Sequence, residues 1–279
     1  MSFRQIRVAR LTPSYWRVSF SNPPINLIDP DTILDLSDLV TQLETDTEVK
    51  VVVFDSLDPD FYLAHYDVLV DKSKTIGMAP GPSGMHPWLD VLVRLSRAPV
   101  VSIAEVRGRA RGAGSEFVLA CDMRFASAER AILGQFEVGI GAVPGGNPMA
   151  RLAGLVGRGR ALEIVLGADD FPGILAERYG YVNRALPDAE LAKFVDTLAA
   201  RLASFDKRAI AETKGFVDEL SLPDDAVFPR ALESFFKSVA RPETRARTIA
   251  LVEAGLQQRS ETELSLGMRI ASGASAKRG

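Results

Sequence analysis

The sequence contains very little cysteine, little histidine and no long apolar run. Its single cysteine, Cys121, excludes a disulfide framework and favours a reducing compartment. Two histidines, His65 and His86, are too few for a zinc site built from cysteine and histidine. No stretch approaches the roughly 18 apolar residues of a membrane-spanning helix, and the first residues lack the apolar segment of a signal peptide. We therefore expect a cytoplasmic protein with no metal site and no membrane partner.

An excess of charge of either sign is also lacking. The 33 lysines and arginines nearly balance the 36 aspartates and glutamates, which gives a formal net charge of −3. Because no basic run is present, nucleic acid is not an expected partner. With 47% hydrophobic and 25% charged residues among 279, the composition is that of an ordinary globular protein. A chain of this size buries roughly three quarters of its unfolded surface, so it can form a large core without disulfides.

Strand and helix patterns alternate in the first half of the chain. The segments IRVARL and YWRVSF alternate like paired strands, and the apolar runs at 49–54 and 99–104 predict buried strands. Asp29 followed by Pro30 predicts the start of a helix between them. This order of strands and helices indicates an α/β fold made of stacked ββα-like units.

The second half has a different pattern. From residue 148 onward it is almost entirely helical, and the small polar residues 271–279 predict a disordered tail. Residues 71–87 are rich in Gly, Pro, Ser and Lys and predict a mobile surface loop. We therefore divide the chain into a core with the active site at 1–200 and a C-terminal helical region at 201–279.

A glycine-rich turn between a strand and a helix is the first candidate site. The small residues Gly112, Ala113 and Gly114 let another group approach the backbone closely. The helix that follows offers free N–H groups and a positive dipole end, which suit an anion or an oxyanion. Glu116 falls in the first turn of that helix. The turn is neither a dinucleotide fingerprint nor a P-loop, and the alternative is that its glycines only permit tight packing.

The second candidate is Glu137, which lies in a glycine-studded loop between Phe136 and Val138. A carboxylate between apolar residues loses hydration, which raises its pKa and suits it to proton transfer. The alternative is a structural ion pair. Two glutamates from separate loops near an oxyanion site can add water to a substrate or remove it.

Taken together, these segments resemble the enoyl-CoA hydratase/isomerase (crotonase) superfamily over residues 5–260. The collinear segments that carry the resemblance are NPPIN (22–26), VKVVVFDS (49–56), APVVSIAEVRG (98–108), CDMRFAS (121–127), GQFEVGIGAVPGG (134–146) and the stretch 167–183. The resemblance implies a spiral of repeated ββα units with a C-terminal helical oligomerisation region. It also implies a homo-oligomer, either a trimer or a hexamer. Phe235, Phe236, Ile249, Leu251 and Val252 form apolar helix faces that a monomer is expected to expose.

The resemblance also implies roles for individual residues. Glu116 and Glu137 match the two glutamates that act on one water, and the N–H groups of His65 and Ala113 match the two oxyanion donors. Substrate-binding positions are implied for Leu63, Ala64, Tyr66, Gly112, Gly141, Pro144 and Gly145. The implied reaction is the syn addition of water to a 2-enoyl-CoA thioester, or the reverse elimination, in fatty acid metabolism. No metal or cofactor is implied, because CoA is part of the acyl-CoA substrate.

At several positions the chain departs from the family pattern. His65 and Tyr66 are bulky where the family has small residues, so they narrow the substrate channel or bring new chemistry. Ala113 replaces a glycine, which costs about 1 kcal/mol if that position has a positive φ and nothing if it is helical. Arg109 and Arg111 either reach the phosphates of CoA or form structural ion pairs.

Other functions consequently stay open. One is an enoyl-CoA isomerase, or an enzyme that hydrolyses a C–C or thioester bond with His65 as acid or base. Another is a protein that binds acyl-CoA without turning it over. The presence of both Glu116 and Glu137 favours a hydro-lyase of the hydratase type. We expect His86 to be solvated and Cys121 to be buried and inert.

Overall fold

The computed structural model describes residues 3–275. Within these residues the strands are β1 (Ile6–Thr12), β2 (Tyr15–Phe20), β3 (Val51–Ser56), β4 (Phe61–Leu63), β5 (Val101–Val106), β6 (Arg109–Arg111), β7 (Met123–Ser127), β8 (Ile132–Gly134), β9 (Asp170–Pro172) and β10 (Arg184–Leu186). The helices are α1 (Pro30–Thr45), α2 (Lys72–Ile76), α3 (Pro87–Arg97), α4 (Ala113–Ala120), α5 (Glu137–Ile140), α6 (Pro148–Val156), α7 (Arg158–Gly167), α8 (Gly173–Tyr179), α9 (Asp188–Ala203), α10 (Lys207–Ser221), α11 (Phe228–Val239), α12 (Pro242–Glu253), α13 (Glu261–Leu264) and α14 (Leu266–Ser275).

The strands form two sheets. The larger has the order β1-β2-β3-β5-β7-β10, with β1 antiparallel to β2 and the other pairs parallel. The smaller has the order β4-β6-β8-β9, in which β4, β6 and β8 are parallel and β9 is antiparallel. From β3 to β8 consecutive strands alternate between the sheets, so β3 and β4, β5 and β6, and β7 and β8 each form one step of a spiral. This confirms the α/β fold of ββα units.

The central strands β3 and β5 of the larger sheet are buried on both faces, and side chains that alternate along them enter two different parts of the core. Val51 and Val53 face α9 and pack with Leu191 and Val195. The neighbouring positions, such as Phe54, contribute to the main core on the other face. There Phe54 meets the Phe117 ring edge-to-face at 5.0 Å between centroids, a favourable aromatic geometry.

The start of α1 follows the predicted signal. The Asp29 carboxylate accepts the Thr32 N–H at 2.9 Å, the Thr32 hydroxyl accepts the Asp29 N–H at 3.3 Å, and Pro30 occupies the first turn. This reciprocal capping satisfies two backbone donors that a helix start otherwise leaves unpaired. The apolar residues of α1 that recur at helical spacing are buried.

The second half differs from the prediction in two short strands and a helix. β9 and β10 lie in a region predicted to be helical, and each has three residues, too few to show a period of two. The predicted disordered tail begins inside α14, which continues to Ser275, and 276–279 lie outside the described residues. The 71–87 loop contains the short helix α2. The proposed boundary at residue 200 falls inside α9 and stays a prediction. None of the described helices has the length and apolar character needed to cross a membrane.

Candidate active site

Three adjacent parallel strands of the smaller sheet end at one edge. Leu63 pairs with Ala110, and the backbone N–H of Arg111 donates to the Ala64 carbonyl at 3.2 Å just beyond. A Cβ on Gly114 would lie 2.0 Å from the Leu63 carbonyl oxygen, so only glycine permits this approach. The segments after β4, β6 and β8 therefore lie side by side, the usual place for a site in parallel sheets.

The turn after β6 forms the start of α4. Gly112 has φ of +50°, and its N–H donates to the Gly134 carbonyl at 3.0 Å. Ala113 is the first residue of the helix and has no positive φ, so the alanine in place of glycine brings no backbone strain. Its N–H donates to no group within residues 3–275, as is normal for the first turn of a helix. Ala113 also lines a cavity.

Hydrogen bonds alternate in direction along the segment after β4. The His65 carbonyl accepts the Ile28 N–H at 2.9 Å, and the Asp67 N–H donates to the Ile28 carbonyl at 2.8 Å. In an extended chain, successive residues point their backbone groups to opposite sides, so the Tyr66 N–H faces away from Ile28. Tyr66 lines the cavity and His65 is not among its described lining residues. Tyr66 is therefore a second candidate for the donor, and the role predicted for His65 stays a prediction.

The His65 ring lies in a buried ion pair. Its Nε2 is 3.2 Å from Oε2 of Glu263, and its Nδ1 is 2.8 Å from the Tyr66 carbonyl. Burial lowers the pKa of His65, but the charge and hydrogen bond of Glu263 outweigh it, so the pKa is raised. Both ring nitrogens face acceptors, which fits the protonated form. This arrangement does not favour His65 as an acid or base toward a substrate in the cavity.

Glu116 is buried in the first turn of α4 and lines the cavity. Its Oε2 accepts the indole N–H of Trp88, and its Oε1 accepts the N–H of Gly146, each at 2.8 Å. Burial raises the pKa of Glu116, while these two hydrogen bonds and the more distant Arg151 charge oppose the rise. A Cβ on Gly146 would lie 2.2 Å from Oε2, so a glycine is needed at this wall. Two donors therefore fix one carboxylate.

Glu137 starts α5, three residues after β8 ends, and it lines the same cavity. Its Oε2 is buried without a hydrogen-bond partner among the described residues. Burial, together with the negative charge of Glu116, raises the pKa of Glu137 to about 8. The expected rise in pKa is present, and no ion pair forms at this carboxylate within residues 3–275, unlike the alternative we considered. Near neutral pH the group can hold a proton and give it up.

The two carboxylates lie on a cavity of about 480 Å³. Its walls come from the core and from the C-terminal helices α11 and α12, and they are mostly apolar. The C-terminal side chains on it are Leu232, Phe235, Phe236, Val239, Arg245, Thr248, Ile249, Val252 and Glu253. Thus Phe235, Phe236 and Val252, expected on exposed helix faces, are half-buried on the cavity of their own chain, whereas Ile249 lines the cavity and is 58% exposed, as expected.

The other predicted substrate positions divide into two groups. Tyr66 and Gly145 line the cavity, and a Cβ on Gly112 would lie 2.6 Å from Oε1 of Glu137. The positions that are not among the described lining residues are Leu63, Ala64, Gly112, Gly141 and Pro144, although Gly112 lies against Glu137, which lines the cavity. Gly141 instead ends α5 with φ of +90°.

The arginines have structural contacts. Arg111 is fully buried, and its guanidinium donates to both carboxylate oxygens of Asp170 at 2.7 and 2.8 Å. Arg109 donates to the Leu264 carbonyl at 2.9 Å. The structural interpretation is therefore favoured over CoA phosphates, and the acid that pairs with Arg111 is Asp170 of the same chain. Sequence reasoning could not find this partner because it lies 59 positions away.

Three residues remain: His86 and Cys121, whose surroundings were predicted, and Trp88, which was not predicted to be near the site. His86 is half-buried, contrary to its expected solvation, because its Nδ1 caps α3 by accepting the Trp88 N–H at 3.2 Å. Cys121 is buried, and burial raises the pKa of its thiol far above the ordinary value. The sequence does not identify Trp88 as a site residue, because its position at the start of a helix carries no signal that the indole contacts Glu116.

Comparison with known proteins identifies relatives along most of the chain. A model of the enoyl-CoA hydratase/isomerase family matches residues 13–251. A crotonyl-CoA hydratase of Syntrophomonas wolfei is 31% identical over 204 residues, which are 72% of this chain and 77% of the relative. A short-chain-enoyl-CoA hydratase of Clostridium acetobutylicum is 30% identical over 180 residues, covering 64% of this chain and 68% of the relative.

A solved structure from Streptomyces avermitilis, described as a candidate enoyl-CoA hydratase, is also similar. It is 45% identical to this chain with a TM-score of 0.92 and covers 97% of this chain and 98% of its own. Its fold therefore matches from the first sheet to the C-terminal helices.

Proposed function

The chain belongs to the enoyl-CoA hydratase/isomerase family, and from this premise we propose that it is a hydro-lyase that adds water to 2-enoyl-CoA thioesters. The observation that carries the proposal is the pair Glu116 and Glu137, two buried carboxylates on one apolar cavity with different hydrogen-bond environments. Relatives named as crotonyl-CoA and short-chain-enoyl-CoA hydratases support the same chemistry.

In this mechanism the thioester oxygen accepts hydrogen bonds from the backbone N–H groups of Tyr66 and Ala113. These donors stabilise the negative charge that develops on the oxygen, an effect of roughly 3–4 kcal/mol per donor in other enzymes. The two groups are supplied by neighbouring strands, β4 and β6, and neither donates to another group within residues 3–275. We propose Tyr66 rather than His65 for the first donor because of the alternation described above.

The glutamates divide the proton transfers. Ionised Glu116 accepts a proton from water while the water oxygen bonds to the β-carbon of the enoyl group. The electron pair of the double bond moves toward the thioester oxygen, and protonated Glu137 then gives its proton to the α-carbon. This assignment follows the environments, since two donors stabilise ionised Glu116, whereas the pKa of Glu137 is raised to about 8. CoA belongs to the substrate, and we expect no separate cofactor.

Hydration of crotonyl-CoA tests this function through the loss of the conjugated-thioester absorbance. We expect the wild type to be active and Glu116→Gln and Glu137→Gln each to lose at least about 100-fold in kcat, as general acid–base residues do. Activity only on 3-enoyl-CoA, retained in Glu116→Gln, would instead indicate an isomerase. Binding of acyl-CoA without turnover of any enoyl thioester would indicate a binding protein.

We also propose that the chain forms a homo-oligomer, a trimer or a hexamer. The support is an exposed apolar face on α10, where Phe216, Val217 and Leu220 are 69%, 57% and 92% exposed. Contiguous exposed apolar residues of this kind mark interaction surfaces. Light scattering after size-exclusion chromatography measures the assembly, and a monomer at micromolar concentration would contradict this proposal. A cytoplasmic location and a place in fatty acid metabolism are part of the same proposal.

A further inference from the structure

A cluster from the C-terminal region, which we name the clasp, consists of Gln257, Glu263 and Leu264. Gln257 binds the segment after β4 with both ends of its amide. Its Oε1 accepts the Val68 N–H at 2.8 Å, and its Nε2 donates to Oδ1 of Asp67 at 2.6 Å. The Gln257 N–H donates to Oε2 of Glu263 at 2.8 Å, which links the members of the clasp.

Glu263 extends the clasp to His65. The carboxylate oxygen that accepts the Gln257 N–H also lies 3.2 Å from Nε2 of His65. The other ring nitrogen of His65 is 2.8 Å from the Tyr66 carbonyl. Because a residue's carbonyl and N–H are fixed by the same backbone, these contacts restrict the direction of the Tyr66 N–H.

The clasp also holds the strand that leads to Ala113. Nη1 of Arg111 donates a hydrogen bond to the Glu263 carbonyl at 2.8 Å, and Nε of Arg109 donates one to the Leu264 carbonyl at 2.9 Å. Arg111 is anchored by Asp170 as well, so its position is fixed on two sides. One short C-terminal segment therefore contacts both strand exits that provide the proposed oxyanion donors.

Backbone strain accompanies these contacts. Gln257 has φ of +66°, a left-handed conformation that is unfavourable for residues other than glycine. The side-chain and backbone hydrogen bonds of Gln257 hold it in this conformation. Such strain is retained where surrounding contacts determine the position of a functional segment.

We propose that the clasp is a positioning element for the oxyanion hole, in which Gln257 and Glu263 act through His65 and Arg111. This proposal rests on the proposed hydratase function. Small displacements of the donors weaken the transition state more than the bound substrate, so loss of the clasp lowers kcat and leaves KM nearly unchanged.

The test compares Glu263→Gln and Gln257→Ala with Glu261→Gln, an exposed change in the same helix as Glu263. Steady-state hydration gives kcat and KM. A second measurement uses 4-dimethylaminocinnamoyl-CoA, a chromophoric thioester whose absorption moves to the red when hydrogen bonds polarise its carbonyl. Thermal unfolding of each variant reports the folded fraction.

We expect both clasp variants to lose roughly 10- to 100-fold in kcat, as misplacement of donors by less than 1 Å can cause. Their KM should change less than about twofold, the red shift of the bound probe should shrink, and Glu261→Gln should match the wild type. A wild-type red shift in both clasp variants, or a fall in kcat that follows the folded fraction alone, would overturn the proposal.

The probe separates this proposal from the proposed function. If the wild type hydrates no enoyl thioester but shifts the probe, and the clasp variants lose that shift, the hydratase function fails and the positioning role stands. If the wild type shows no red shift with the bound probe, the oxyanion hole itself is absent and the clasp proposal fails.

Discussion

The indole N–H of Trp88 donates a hydrogen bond of 2.8 Å to Oε2 of Glu116, and both residues line the cavity. A second donor, the Gly146 N–H, binds the other oxygen of the same carboxylate. Glu137 receives no such donor at Oε2 from the described residues, and its pKa is raised to about 8. Two glutamates of one cavity thus differ in the environment of their charged forms, which separates a base from an acid.

The first prediction concerns the pH dependence of hydration. Glu116 must be ionised and Glu137 protonated, so kcat/KM should follow a bell-shaped profile. Above about pH 8 Glu137 loses its proton, and both glutamates are then ionised. The value of kcat/KM should therefore fall about tenfold per pH unit. Water addition consumes no net proton, so kcat/KM for dehydration should show the same alkaline limb. Assays of hydration and of dehydration between pH 5 and 10 measure the two kcat/KM profiles. A flat profile above pH 8 would contradict the role of Glu137.

The second prediction concerns Trp88. Trp88→Phe removes the donor to Glu116, and the hydrogen bond is one of the effects that lower the pKa of this carboxyl. The acid limb of the kcat/KM profile should therefore move to higher pH, while the alkaline limb of Glu137 stays. Glu116 would then keep only the Gly146 N–H as a fixed donor, so the carboxylate should be less well positioned and kcat should fall by roughly 10- to 100-fold. An unchanged acid limb would show that Trp88 does not act on Glu116.

Gly112 provides the third prediction. A Cβ here would lie 2.6 Å from Oε1 of Glu137 at a residue with φ of +50°, so Gly112→Ala should displace the carboxylate and strain the turn. We expect hydration to fall by about 100-fold, a typical effect of misplacing a catalytic group by 1 Å. Gly154→Ala is the matched control, because a Cβ at Gly154 meets nothing within 4 Å. Equal activity of the two variants would be inconsistent with the close approach.

The size of the cavity leads to the fourth prediction. About 480 Å³ of mostly apolar space, with Phe235 and Val239 on its wall, exceeds what a four-carbon acyl group fills. Each buried methylene contributes about 0.8 kcal/mol, so kcat/KM should rise roughly fourfold per carbon from crotonyl-CoA to 2-octenoyl-CoA. Val239→Phe should reduce this gain without changing the rate on crotonyl-CoA. A higher kcat/KM for crotonyl-CoA than for the longer thioesters would contradict an acyl chain in this cavity.

Part of this site can be read from sequence because its signals are local. Glu116 follows a glycine turn at the start of a helix, and Glu137 lies between apolar residues in a glycine-rich loop. The strands β3 and β5 are likewise apolar runs long enough to identify. Both carboxylates were thus visible as candidates, although their catalytic roles await measurement.

The remainder depends on contacts between distant positions. Trp88 reaches Glu116 across 28 positions, and His65 reaches Glu263 across 198. Nothing in either local segment encodes such pairs, since they form only after the chain folds. The choice between His65 and Tyr66 as oxyanion donor depends on such folding too, because a sequence does not show which way a backbone N–H points. The role predicted for His65 therefore stays a prediction, and we propose Tyr66 from the direction of the neighbouring backbone hydrogen bonds.

The fifth prediction concerns the buried pair of His65 and Glu263. Burial lowers the pKa of His65, but the charge and hydrogen bond of Glu263 raise it by more, so the folded pKa lies above its ordinary value of 6.5. Burial raises the pKa of Glu263, but His65 and the other partners lower it below its ordinary 4.5. The stabilisation by His65 is thus fully present below pH 6.5 and is lost as pH rises through its raised folded pKa. The stabilisation by Glu263 is present above pH 4.5, and it is lost as the pH falls through the lowered folded pKa of Glu263.

Chemical denaturation between pH 4 and 9 measures this contribution as the free energy of unfolding. As the pH rises above 6.5, the wild type should lose stability more steeply than His65→Gln, because only the wild type releases the proton of the buried imidazolium. Glu263→Gln should remove the same slope, since a neutral partner no longer raises the pKa of His65. Glu261→Gln, exposed in the same helix, should keep the wild-type slope. If the free energy of unfolding of the wild type and of His65→Gln changed in parallel above pH 6.5, His65 would be neutral in the folded protein. The contact with Glu263 would then be a hydrogen bond between a neutral ring and a carboxylate, not an ion pair.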